Sequence, residues 1–149
     1  MSDDFLNFPK ELKRNILEGS ESTLGIKPYL LEKDIWICWV LRELFQLPKK
    51  MAFKGGTSLS KCYGLLDRFS EDVDVTIDYR EFMSDIDFSS ASKNALKNKR
   101  EKLKEEVNRY VIASVIPFIE RAFLTQFPNE GSFNYEFKGA AISVSAGIR

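Results

Sequence analysis

The stretch 72–78, DVDVTID, limits the fold more than any other part of the chain. Val73, Val75 and Ile77 fall on one side of an alternating pattern, and Asp72, Asp74 and Thr76 fall on the other. A period of two is that of a strand with one face on a core and one face open. Residues 50–54, KMAFK, are short and apolar enough for another strand, and Gly55-Gly56 follows directly. Thr57 is placed to cap a short helix over 57–66. A polar turn over 67–71 then leads into the alternating stretch.

Helical patterns surround this unit. A short helix is expected over 9–17, followed by a loop holding Gly19, Ser20, Ser22 and Gly25. Pro28 suits a first helical turn. Over 29–47, Leu31, Ile35, Cys38, Leu41 and Phe45 recur at helical spacing, beside a second stripe of Trp36, Val40 and Leu44. So wide an apolar arc predicts a buried helix, ended by Pro48. After a polar loop over 79–92, Ser89 and Ser90 are candidate caps for a helix running to about residue 125. Its stripe is Leu96, Leu103, Val107, Tyr110 with Val111, Val115, Phe118 with Ile119, and Phe123, and Pro117 is a candidate kink. Phe133, Tyr135 and Phe137 alternate with Asn134 and Glu136, which predicts another strand after the turn at 128–131. The tail 140–149 is rich in small residues and reads as extended. The expectation is a single α/β domain over 1–149, with an N-terminal segment 1–27 and a small mixed sheet packed by helices.

Composition removes several function classes. Lys+Arg and Asp+Glu are equal at 22 each, so overall charge selects no partner. The chain has no His, the commonest general base and metal ligand near neutral pH. Metal chemistry would therefore use oxygen ligands and a hard ion such as Mg²⁺ or Mn²⁺. Cys38 and Cys62 form no CxxC or Cys/His cluster, which fits buried free thiols in a reducing compartment. The N-terminus MSDDFLNF has no apolar core and is not a secretory signal. No apolar run approaches the roughly 18 residues that span a bilayer. A cytoplasmic protein without a membrane partner is expected.

The chemistry-bearing feature is the order of the parts: strand, double glycine, short helix, turn, then a strand bearing Asp-x-Asp. Side chains at i and i+2 of a strand share a face, so Asp72 and Asp74 converge. Two carboxylates that close repel each other, which raises a pKa or calls for a cation between them. Two Mg²⁺ ions held there would activate an attacking hydroxyl and stabilise a pyrophosphate leaving group. Gly55 and Gly56, lacking Cβ atoms, let backbone N–H groups approach phosphate oxygens. The following helix aims its N-terminus at the same anion, and Thr57 and Ser58 add hydroxyl donors. Separately, a Gly-Gly is usually a turn and an Asp-x-Asp usually a solvated strand face. Together, in this order, they point to nucleotide chemistry.

FKGGTSLSKCYGLLDRFSEDVDVTI also resembles the signature of AbiEii-type nucleotidyltransferases, within the DNA polymerase β-like superfamily. The likeness lies in a Gly-Gly-Thr/Ser-x-Leu start and an Arg-x-Ser-x-Asp-x-Asp finish. Here these are Gly55, Gly56, Thr57 and Leu59, then Arg68, Ser70, Asp72 and Asp74. It extends to the helix LLEKDIWICWVLRELF and loosely to the basic helix downstream. The resemblance implies a polymerase β-like nucleotidyltransferase fold and a type IV toxin–antitoxin or abortive-infection enzyme. Such an enzyme would use an NTP with Mg²⁺ or Mn²⁺, modify an RNA (tRNA) or protein acceptor, and have a cognate antitoxin. Lys54, Gly55, Gly56, Thr57, Ser58, Arg68 and Ser70 would bind nucleotide. Asp72 and Asp74 would bind metal and serve catalysis.

The resemblance also implies a third carboxylate on a later strand, before a Gly-x-Arg ending. The matching stretch 142–149, ISVSAGIR, has Ser145 in place of that Glu, and Glu136 is the substitute on the preceding strand. Family members are typically longer, so the expectation includes a chain truncated at its C-terminus. Two alternatives stand beside the toxin enzyme. One is a catalytically impaired domain that binds a nucleotide or partner, and the other is a minimal nucleotidyltransferase acting as an antitoxin.

Three further features carry weaker signals. Residues 93–104 hold six Lys/Arg against one Glu. Cations in the first turns of a helix oppose its dipole, at some tenths of a kcal/mol each. They mark either a solvated face or a contact for triphosphate or RNA backbone. Lys33 and Asp34 either support the site or form a buried or rim ion pair. Trp36, Trp39 and most phenylalanines read as core. Arg68 either pairs with Asp72 or Asp74, or contacts phosphate.

Overall fold

The computed structural model describes residues 4–54, 74–84, 92–130, 134–138 and 141–145. The chain begins with α1 (Asp4–Asn7), α2 (Lys10–Leu24) and α3 (Pro28–Leu44), and then runs into strand β1 (Met51–Lys54). Strand β2 (Asp74–Ile77) leads to a 3-10 turn (Tyr79–Glu81). Helix α4 (Lys93–Tyr110), a π turn (Val111–Val115) and α5 (Ile116–Gln126) follow, and then β3 (Asn134–Lys138) and β4 (Ala141–Ser145).

Helix α2 runs through the stretch expected to be a loop. The Ser20 hydroxyl donates to the Leu17 carbonyl at 2.6 Å, and those of Ser22 and Thr23 donate to Gly19 at 2.9 and 3.2 Å. These hydroxyls bond back into the helix instead of competing with it. Gly25 ends it in the left-handed region, φ 69°, its N–H donating to the Glu21 carbonyl at 3.0 Å. Helix α3 starts at Pro28 and stops at Leu44, a little short of the expected 47. Gln46 and Leu47 continue in a tighter turn, their N–H groups donating to Glu43 and Leu44 at 3.0 and 3.1 Å. Helix α4 is capped by Ser92, whose Oγ accepts the Ala95 N–H at 3.3 Å. The expected caps Ser89 and Ser90 lie outside the described residues. The expected kink at Pro117 takes the form of a π turn just before it. Proline has no N–H and its ring crowds the carbonyl four residues back. Widening the helix there, with the Ile116 N–H donating to Val111, accommodates that ring.

The core is helical. Leu6, Leu17, Ile35, Trp36, Trp39, Val111, Val115, Ile116, Ile119, Phe123 and Phe127 form one buried cluster. Trp36, Trp39, Phe123 and Phe127 meet mostly edge to face, with ring centroids 5.3–6.0 Å apart. That geometry suits the ring quadrupoles and fills the space between α3 and α5. Beside it, Gln126 accepts the Trp39 indole N–H at 3.0 Å and donates to buried Glu43 at 3.2 Å. Buried Lys13 donates to the Leu6 carbonyl at 3.0 Å and pairs with Glu130, tying α2 to the turn after α5. Helix α4 has no fully buried residue, so the first half of its apolar stripe, Leu96 and Leu103, is only half-buried. Cys38 is a free thiol, half-buried instead of buried as expected, and Cys62 lies outside the described residues.

All described strand pairing is antiparallel. β1 pairs with β2, and β3 with β4, giving two two-stranded ladders where one mixed sheet was expected. The α/β class holds at that level: helices form the core, and two short ladders accompany them. The tail expected to be extended supplies β4. Among the described residues no helix is long and apolar enough to cross a membrane.

Candidate functional site

The β1–β2 ladder gives the candidate site its frame. Its register sets Met51 opposite Ile77, Ala52 opposite Thr76, Phe53 opposite Val75 and Lys54 opposite Asp74. Within β2, Val75 and Ile77 are half-buried while Asp74 and Thr76 are exposed, as the alternation predicted. Lys54 and Asp74, twenty positions apart in sequence, therefore become cross-strand neighbours.

Side chains pin the opposite end of the ladder. The Asp78 N–H donates to the Lys50 carbonyl at 2.9 Å. The Asp78 carboxylate accepts the Arg80 guanidinium at 2.6–3.0 Å and the Arg80 backbone N–H at 3.0 Å. The guanidinium bonds first, and then the backbone bond, hold the Asp78 carboxyl down at about 2. Lys49 donates to the Glu81 carbonyl at 2.9 Å, its ammonium lying 4.5 Å from the Phe82 ring centre and 5.2 Å from that of Tyr110. These contacts tie the ladder to α4 through a cation between two aromatic faces. Burial, and next the charge of Glu81, push the Tyr110 hydroxyl upward, and that hydroxyl has no partner among the described residues. Sequence reasoning missed this anchor. Asp78-x-Arg80 carries a local signal, an Asx-type turn at a strand end, but the Lys49–Phe82–Tyr110 group depends on tertiary contact.

The expected site residues divide into three groups. Lys54 and Asp74 are brought together, and the Asp74 carboxylate is exposed with no ion pair among the described residues. A free, hard oxygen donor on an open strand face suits Mg²⁺ or Mn²⁺. Glu136 lies in the second ladder, opposite Ser143, with Ser145 opposite Asn134. Gly55, Gly56, Thr57, Ser58, Arg68, Ser70 and Asp72 lie outside the described residues. Of the weaker candidates, Asp34 is buried while its neighbour Lys33 is exposed, and Trp36 and Trp39 belong to the core as expected.

A family model described as "Nucleotidyl transferase AbiEii toxin, Type IV TA system" matches residues 39–148, from the middle of α3 through β4. No curated protein and no solved structure matches the chain.

Proposed function

The chain belongs to the AbiEii nucleotidyltransferase toxin family, and from that premise we propose that it transfers a nucleoside monophosphate from an NTP to an acceptor hydroxyl. The acceptor is RNA, of the tRNA kind, or a protein, and the cellular counterpart is a cognate antitoxin in the same cytoplasm. The observation that supports this most directly is the register that pairs Lys54 with Asp74. Lys54 is bonded to Gly55, and Asp74 stands two residues after Asp72. One residue from each end of the motif, Lys54 and Asp74, thus stands at the same end of one ladder, with Cα atoms about 4.5–5.5 Å apart across the strands.

In this reading Gly55 and Gly56 admit the triphosphate to the backbone, and Thr57 and Ser58 donate to its oxygens. Lys54, Arg68 and Ser70 offset and orient its charge. Asp72, Asp74 and Glu136 supply the oxygen ligands for Mg²⁺ or Mn²⁺. When held by these residues, such an ion would supply positive charge that eases loss of the acceptor proton and offsets charge on pyrophosphate. The acceptor oxygen then forms a bond to the α-phosphorus, and its proton leaves to a neighbouring carboxylate. The bond from that phosphorus to the bridging oxygen breaks, and pyrophosphate departs with the electron pair.

The β3–β4 register supports Glu136 as the third carboxylate. Residues directly opposite in an antiparallel ladder share a face, so positions 134, 136 and 138 lie on the face of 141, 143 and 145. Glu136 is opposite Ser143 and diagonal to Ser145, a separation of about 7–8 Å. Glu136 therefore stands on the strand that pairs with the one carrying position 145.

Calorimetry tests the metal and nucleotide reading. Wild type titrated with NTP in Mg²⁺ should bind, and the Asp72→Ala/Asp74→Ala variant should lose the metal-dependent part. Equal binding by both would remove the proposal.

A further inference from the structure

Helix α4 carries a row of cations that nothing among the described residues neutralises. Lys93, Lys97, Arg100 and Lys104 recur at i, i+4, i+7 and i+11. This spacing stacks them along one side of the helix over about 16 Å. All four are exposed, and none takes part in an ion pair among the described residues. The first turn of α4 has no acidic residue, and Glu101, the one acid within 93–104, forms no ion pair with them. Neighbours along the row are three or four residues apart, where like charges repel. The first of them also face the positive end of the helix dipole. The helix is held from another side, where Leu96, Leu103 and Val107 are half-buried. The row therefore does not serve packing, and it opposes helix stability.

We propose that this row docks the phosphodiester backbone of a single strand of RNA. A polyanion lying along it would offset both the mutual repulsion and the dipole. An acidic protein fits less well, because a stable protein interface centres on apolar anchors. None of the large hydrophobic residues exposed on the described surface falls within 93–104. The single file of charge also matches one strand instead of the two that border a duplex groove. The chain as a whole has balanced charge, so this helix is a local concentration and not part of a basic protein. The choice of RNA over other polyanions rests on the acceptor proposed above, whereas the surface itself does not need the transfer reaction.

The test is fluorescence anisotropy with a labelled single-stranded RNA oligonucleotide, in EDTA without NTP, so that catalytic competence plays no part. Four phosphate contacts predict a log–log salt slope of about −2.8, from about −0.7 per contact on a single strand. The variant Lys93→Gln/Lys97→Gln/Arg100→Gln/Lys104→Gln should lose most of the affinity at 50 mM salt and nearly all of that slope. A charge-matched control, Lys10→Gln/Arg14→Gln/Lys102→Gln/Arg121→Gln, removes four exposed cations from elsewhere, one of them on the far side of α4. It should keep both affinity and slope, and circular dichroism should show both variants folded. Equal loss in the control would reduce the effect to net charge and overturn the proposal. So would RNA binding by the row variant as tight as wild type. Displacement of the RNA by an oligoglutamate peptide of equal charge, at equal concentration, would assign the row to an acidic protein and overturn it as well.

Discussion

Glu130→Ala should destabilise the protein more than Lys13→Met, although each removes one partner of the same ion pair. The reasoning rests on where each charge is left. Lys13 is completely buried, and among the described residues its ammonium touches only the Leu6 carbonyl and the Glu130 carboxylate. The Glu130 side chain keeps 17% of its surface in contact with solvent. Removing Glu130 strands a buried cation with one neutral acceptor, a situation that costs about 3–5 kcal/mol. Removing the Lys13 charge leaves a carboxylate that can still hydrate, while Met retains much of the buried stem. The remaining loss is chiefly the hydrogen bond to Leu6, about 1–2 kcal/mol with its acceptor unsatisfied. In the double variant no buried charge is stranded, so it should cost no more than Lys13→Met alone. Urea unfolding followed by the fluorescence of Trp36 and Trp39, both in the core, would measure all three, with unchanged m-values as the check on two-state behaviour. If Lys13→Met proves as costly as Glu130→Ala, or if the two single costs add in the double variant, the stranded-charge argument is wrong.

Gly56→Val should abolish NTP binding in calorimetry while circular dichroism stays native, because a branched side chain occupies the space that a phosphate oxygen must enter. Glu136→Gln should lower NMP transfer by at least the order of 10²-fold that loss of one charge-stabilising group costs, and adding Ser145→Glu should restore part of it. Transfer unaffected by Glu136→Gln would move the chain toward the nucleotide-binding reading with impaired catalysis. Asp78, held down at about 2, contributes stability fully above its unfolded value of about 3.9, and that contribution is lost as pH falls through about 2. Acid unfolding of Asp78→Asn should therefore lack this component between about pH 4 and 2, and a matching acid limb in the variant would count against the Arg80 pairing.

How far the sequence disclosed this arrangement depended on the range of the interaction involved. The period of two in residues 74–77 is local, and the exposure pattern of β2 follows it. The aromatic core was equally legible, since Trp36 and Trp39 recur at helical spacing and large rings have few other places to go. Hydroxyl-rich segments were not. Ser20, Ser22 and Thr23 suit a loop as well as a helix that accepts their back-bonding, and only the packed structure chooses. The cap of α4 failed for a related reason: Ser89, Ser90 and Ser92 offer the same chemistry within four positions. Ile142 and Val144 alternate with Ser143 and Ser145 by the same rule that revealed β2, yet the run is short and its partner strand decides the matter. Lys13 gave no sign of burial, because its partner stands 117 residues away.

The candidate site shows the same division within a few residues. The family resemblance proposed Lys54 and Asp74 as members of one site, but no local pattern could specify that they are opposite each other. That depends on register, and a slip of one residue would carry Asp74 to the other face. What resists such a slip lies at the far end of the ladder. Lys49 holds Phe82 and Tyr110, and Asp78 holds Arg80, so the strand ends there are fixed to α4 and to the 3-10 turn. Catalytic geometry tolerates errors of only about 0.5 Å. A ladder four residues long cannot supply that from its own hydrogen bonds alone. The cation–aromatic group therefore acts on the Asp74 end at a distance, by fixing the register that carries it.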